Sequence, residues 1–562
     1  MKIFQFRYIG MLTLIAILGF ITIYPLGMIF YGSFRSGPPG VPGVYTIQGY
    51  IDAYSDPTII KALGTTLILG IARTAITLLI AVFFCWILIR TDTPMKGTLE
   101  ILMWINFFIP LLPLTMGWIL LLDPSYGLIN TWLQKLPFIN KPLLDIYSLY
   151  GIVWAHIANS TSVRVIMFAP AFRNMDAALE ESARMSGASN FTTLIRVTFP
   201  LLLPALMGAS MLGFIRSLES FEIELLLGMP AKIFVYTTKV FDLVRWEPPQ
   251  YPPAMALSAV FMVVAIGLVF INRWVIQRRQ YTTVTGKGYK TSAIRLGKWR
   301  YATLAFVLGY AFVFLILPVT ILVLGSFMKI MGMYNLPEPW TLDHWRTVLN
   351  DPMFIGSIRN SMIMSVAAAA IGMTFYSFLS YINIRTKLRG KGLIDFMSWL
   401  PWAVPGLLLA IGLLWVFLGG IPLFKAMYGT MYILILAMII KELPLGVRVM
   451  DGTMVQISKE LEESARMSGA GWLHTFRRII VPLLIPTYVA TAVMIFLGSI
   501  RDISIVVLLY SPRWRLLSIL MLEHYIGMAP EKGMAVGLVI TVICVGVAVI
   551  ARALGMRLIP EH

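Results

Sequence analysis

The sequence predicts an all-α membrane protein of about 12 transmembrane helices, built as two parallel six-helix repeats. Three observations carry that expectation. Of 562 residues 58% are hydrophobic and only 13% charged, with a mean hydropathy of +0.80. Soluble domains hold about 25% charged residues, so a water-soluble enzyme is excluded. A helix crosses the hydrocarbon in about 20 apolar residues, and twelve runs reach that length. They lie at 8–32, 63–89, 100–122, 148–169, 200–223, 254–277, 300–326, 361–384, 393–418, 428–446, 482–506 and 533–556. Finally, LEESARMSGAS at 179–189 returns as LEESARMSGAG at 461–471, a shift of 282.

The first run exceeds the 7–15-residue apolar region of a secretory signal and no A-x-A site follows it, so it is expected to be a span. Downstream of the repeated segment the register holds. Pro200 and Pro204 map onto Pro482 and Pro486, and SLESFEIELLLG (217–228) maps onto SIRDISIVVLLY (499–510). Upstream, Asp56-Pro57 and Asp351-Pro352 are 295 apart. The first half therefore carries about a dozen extra residues, expected in the Pro-containing loop 123–147. Six spans per half send both halves into the membrane in the same direction. They become parallel repeats about an axis along the membrane normal, with a pathway between them. The organisation read from this is a first repeat at 1–277, a basic linker at 278–299 and a second repeat at 300–562.

The net charge of +18 points to sidedness rather than to nucleic acid. With the N-terminus cytoplasmic, 28 of the 45 Lys and Arg fall on cytoplasmic loops and 14 on the opposite side, while Arg73, Arg216 and Arg501 lie within spans. That excess sets both termini inside. Cys85 and Cys544 both sit in apolar runs and imply no disulfide framework.

The repeated loop is the most specific signal. Asp176 and Ser458 are equivalent and suit a helix N-cap. Glu180 and Glu181, or Glu460, Glu462 and Glu463, follow near the helix start, where the macrodipole favours negative charge. Gly187 and Gly469 stand where a left-handed C′ residue ends the helix. A second short helix then runs into Pro200 or Pro482. Ala183 and Ala465 are small and expected to leave a face that another protein can approach. Two such copies in one chain imply two docking sites for one kind of partner.

The pattern E-x-x-A-x-x-x-G, with a proline 13 residues after the glycine, reads here Glu180, Ala183, Gly187, Pro200 and Glu462, Ala465, Gly469, Pro482. It resembles the EAA loop of binding-protein-dependent ABC importer permeases. The resemblance implies a type I importer (MetI-like) fold in a bacterial inner membrane. It makes each loop a coupling helix seated on an ATP-hydrolysing subunit, two copies in all, with a periplasmic solute-binding protein on the other face and membrane lipid around the spans. The fused form is most similar to ferric-iron permeases, with thiamine, aminophosphonate and polyamine permeases as neighbours.

The chain carries no phosphate cradle of its own. Gly286-Lys287, Gly297-Lys298 and Gly390-Lys391 are followed by Gly288, Trp299 and Gly392, and none is the Gly-Lys-Ser/Thr that ATP hydrolysis needs. No catalytic residue, cofactor or resident metal is therefore assigned, and ATP belongs to the partner. Within the membrane region the candidates are Glu219, Glu222 and Glu224 after the fifth span and Arg501 and Asp502 after the eleventh. Buried charge usually faces a pathway, and carboxylates suit a hard cation such as Fe³⁺. Glu219 and Arg501 are equivalent and expected to face each other; an interhelix salt bridge is the other reading. A secondary transporter driven by an ion gradient would also use such carboxylates, or broken helices, but gives no reason for two matched loops.

Overall fold

The structure is a computed structural model that describes residues 2–173, 175, 177–278, 294–386, 390–419 and 421–554. In chain order the spans are Lys2–Ser33 (span 1), Pro57–Cys85 extended by a π turn at Trp86–Arg90 (span 2), Lys96–Phe108 with Leu111–Leu122 (span 3), Leu149–Arg173 (span 4), Phe199–Leu218 (span 5) and Tyr251–Arg278 (span 6). The second half repeats them as Trp299–Ala311 running through a π turn into Leu317–Gly325 (span 7), Pro352–Arg385 (span 8), Lys391–Trp399 with Gly406–Leu418 (span 9), Met431–Gln456 (span 10), Val481–Ile500 (span 11) and Pro530–Ala553 (span 12). Among the described residues, eight single helices and three bent pairs are long and apolar enough to cross a membrane. Span 10 completes the twelve. Its 26 residues suffice in length, but Lys441 and Glu442 interrupt its apolar run.

Spans 3 and 9 depart from the straight helices expected at 100–122 and 393–418. Each breaks before a proline, Pro110 or Pro405, and turns by 99° or 112°. The residue before a proline is pushed out of the α region, and Ile109 and Val404 are indeed extended. Such a break survives in a membrane only where protein covers the freed backbone groups, and here it does. The second piece of span 3 packs on span 7, and the second piece of span 9 packs on span 1. Each half thus lays its first span against the broken span of the other. The approach is close: a Cβ on Gly117 would stand 2.2 Å from the Pro318 carbonyl oxygen, and one on Gly412 2.5 Å from that of Pro25. Only glycine fits there.

The repeat extends to the loops. Asp56 and Asp351 each accept a backbone N–H two residues on at 2.8 Å, capping spans 2 and 8 with proline in the first turn. Short helices at Leu128–Leu133 and Pro422–Met427 are 294 apart, whereas Leu149 and Met431, which open spans 4 and 10, are 282 apart. The first half's twelve extra residues therefore fall in 134–148. Of the linker, 279–293 lie outside the described residues. From Ile294 the chain pairs in parallel with Thr91: the Ile294 N–H donates to the Arg90 carbonyl at 2.8 Å, and the Leu296 N–H to Asp92 Oδ1 at 2.8 Å.

Candidate functional site

The two repeated loops fold alike. Their helices are Ala177–Met185 and Glu460–Met467. Gly187 and Gly469 follow with φ of +88° and +79°, and the next N–H, of Ala188 or Ala470, donates back to Ala183 or Ala465 at 3.0 Å. This is the closed left-handed cap that satisfies the last carbonyls of a helix. Four-residue helices, Asn190–Thr193 and Trp472–Thr475, then lead through π turns at Leu194–Thr198 and Phe476–Ile480 into spans 5 and 11, with Pro200 and Pro482 in the first turn. Asp176 lies outside the described residues. Ser458 Oγ accepts the Glu460 N–H at 3.2 Å.

The glutamates divide into two kinds. Glu181 and Glu463 are exposed, but Glu180 and Glu462 point inward and are buried, which corrects the expectation that both face a partner. The cause is a pair of arginines that the sequence reading did not single out. Arg90 Nη2, at the end of span 2, lies 2.7 Å from Glu180 Oε2, and Thr198 donates to the other carboxylate oxygen at 2.6 Å. Arg385 Nε, the last residue of span 8, lies 3.2 Å from Glu462 Oε1. The Tyr381 hydroxyl donates to Glu462 Oε2 at 3.3 Å. Arg90 and Arg385 are 295 apart, the same upstream shift as the Asp-Pro pairs, so that signal was present in the sequence.

The alanines also differ from expectation. Ala465 is buried and Ala183 half-buried, so their small size lets the loop helix sit close to its own half. What the helices present outward, beside Glu181, Gly187, Glu463 and Gly469, is an apolar tip: Met185 is 91% exposed and its equivalent Met467 89%. A free thioether at the same place in both loops is adaptable contact surface.

The second candidate group is less symmetric. In the first half, Arg73 donates to His156 Nδ1 at 3.0 Å, His156 Nε2 lies 2.9 Å from Glu224 Oε1, and Ser220 donates to Glu224 Oε2 at 2.7 Å. A neutral imidazole carrying its proton on Nε2 satisfies both neighbours. In the second half, Lys441 is ion-paired with Asp502, whose Oδ1 accepts the Ile505 N–H at 3.0 Å. Glu219 and Arg501 find other partners than each other. Arg216 stands 3.4 Å from Glu219, and Arg501 donates to the Phe107 carbonyl at 2.9 Å. Half-buried Glu222 faces the charges of Asp502, Lys441 and Arg501 from the opposite half. Among the described residues no group of three or more His, Cys, Asp or Glu is placed to hold a metal ion.

Residues 381–560, which contain the second loop and its arginine, match the family model described as the binding-protein-dependent transport system inner membrane component. That stretch carries the domain of ABC importer permeases. Among relatives of this chain, a probable ABC transporter permease of Sinorhizobium fredii is 29% identical over 73% of this chain and 73% of its own. The ferric transport system permease protein FbpB of Actinobacillus pleuropneumoniae is 26% identical over 89% of this chain and 71% of its own. A solved bacterial alginate ABC transporter, in complex with an alginate pentasaccharide-bound periplasmic protein, aligns with 49% of this chain and 96% of the other at 18% identity and a TM-score of 0.40.

Proposed function

We propose that this permease is the fused transmembrane subunit of an importer that carries ferric iron from a periplasmic binding protein to the cytoplasm of a bacterium. ATP is hydrolysed by two copies of a separate subunit, one on each loop helix, and both termini of the permease are cytoplasmic. The observation that carries this is the pair of loops with one geometry, each ending in an exposed Met and a left-handed Gly. Two equal docking elements ask for two equal partners. The choice of ferric iron rests on relatives such as FbpB, named for ferric transport. The iron passes as substrate through a mixed-charge environment rather than onto a fixed ligand set. The broken spans 3 and 9, which an ion-driven transporter would use as coupling sites, are engaged here with spans 7 and 1.

The test is uptake in proteoliposomes holding the permease and its ATPase subunit, with iron-loaded binding protein outside. Iron should accumulate only when the ATPase subunit, ATP and binding protein are all present. Accumulation driven by an ion gradient without ATP would contradict the reading.

A further inference from the structure

The two buried Arg–Glu pairs do more than satisfy charge. Each arginine reaches three elements at once. Arg90 closes span 2, pairs with Glu180 on the loop helix, and lies 3.4 Å from the carbonyl of Met175, just before that helix. Arg385 closes span 8, pairs with Glu462, and donates to the carbonyls of Met454 and Ile457 at the end of span 10 and just beyond it. Met175 and Ile457 are equivalent under the 282 shift, as the glutamates are. The same joint is therefore built twice, from residues 69 to 90 positions apart, inside one chain. Its side chains are 8% exposed or less, so water does not screen the pairs and the geometry is held firmly. Elsewhere the loop helices are attached through left-handed turns at Gly187 and Gly469 that nothing crowds.

We propose that Arg90 and Arg385 are positioning residues: each is a strut that fixes its loop helix to the end of span 2 or span 8. A displacement imposed on the exposed tip then turns that span instead of bending the loop. In the first half the strut also reaches the linker, because the Arg90 carbonyl accepts the Ile294 N–H shortly before the second repeat begins. This rests on the reading of the loops as ATPase-docking elements.

Two measurements test it. In the permease alone in nanodiscs, spin labels at Met185→Cys and Leu79→Cys, both on exposed positions, report the distance from loop tip to span 2. A single narrow distribution is expected, broadened by Glu180→Gln and kept narrow by Arg90→Lys, which retains the charge. In the assembled transporter, Glu180→Gln and Glu462→Gln should keep both ATPase subunits bound while solute moved per ATP falls at least fivefold, whereas Arg90→Lys alone, which keeps the ion pair, should retain most of the wild-type ratio. A narrow distance in Glu180→Gln, or an unchanged transport ratio in both glutamine variants, overturns the strut. Should Glu180→Gln fail to insert, Glu462→Gln with labels at Met467→Cys and Val366→Cys carries the same comparison. If the wild-type permease binds no ATPase subunit, the proposed function falls, and the label distances still decide the strut.

Discussion

The two halves of the permease agree at the loop helices and disagree midway through the bundle. Under the 282 shift Glu180 coincides with Glu462, Gly187 with Gly469 and Met185 with Met467. Under that shift His156 falls on Met438, Glu224 on Val506, Ser220 on Asp502 and Asn159 on Lys441. The first half engages its buried carboxylate through a hydrogen bond from His156, with Arg73 behind the ring, and the second through an ion pair with Lys441. Matched surfaces fit matched partners, whereas a path between two halves carries a single solute and asks for no repetition of its walls. The matched loops are what the proposed twofold assembly requires, whereas the interior is asymmetric in its charged residues.

The sharpest break in that comparison concerns the interior. Lys441→Met would strand Asp502, which is 2% exposed, and removing one partner of a buried pair costs about 3–5 kcal/mol. A large fall in the melting temperature of the purified permease is expected, with most of it regained in Lys441→Met/Asp502→Asn. Equal melting of wild type and single variant would show that the pair is not fixed. Next is Thr198→Val, which makes the first loop resemble the second, where Ile480 occupies the equivalent place. The lost hydrogen bond to Glu180 is worth about 1.5–3 kcal/mol, and faster amide exchange confined to the first loop is the expected reading.

Gly187→Val and Gly469→Val should act equally on both loops. A Cβ would meet no atom within 4 Å at either site, so the cost is backbone strain alone, about 1–3 kcal/mol. Insertion should survive while ATP hydrolysis loses its link to uptake; normal uptake in both variants would contradict this. The smallest effect lies at the second short helix. Ser189 Oγ accepts the Thr192 N–H at 3.1 Å, while the equivalent Gly471 has no side chain to do so. Ser189→Ala should loosen the first loop by about 1 kcal/mol and Gly471→Ser tighten the second by a few tenths, read as opposite shifts in amide exchange.

Much of this architecture is legible in the amino-acid sequence. Apolar run length places the spans, because the bilayer offers the backbone no other partner. The 282 shift and Gly187 and Gly469 place the loop helices and their ends. Two things were not legible. Runs 100–122 and 393–418 stay apolar through Pro110 and Pro405, so hydropathy does not register the break; a proline common to both halves under the 295 shift was the available sign. The inward turn of Glu180 and Glu462 depends on Arg90 and Arg385, far away in sequence, and partner choice across such a gap is a matter of packing rather than local pattern. The same holds for Glu219 and Arg501: equivalence under the repeat gives related positions, not contact.

The most direct measurement is the composition of the purified complex by native mass spectrometry, with the permease co-expressed with its ATPase subunit. Two ATPase subunits per permease chain are expected, falling to one when Glu181 and Met185 are both replaced by Arg and to none when Glu463 and Met467 are replaced as well. A complex that keeps both subunits after all four replacements, or a permease that moves its solute with no ATPase bound, would contradict the account.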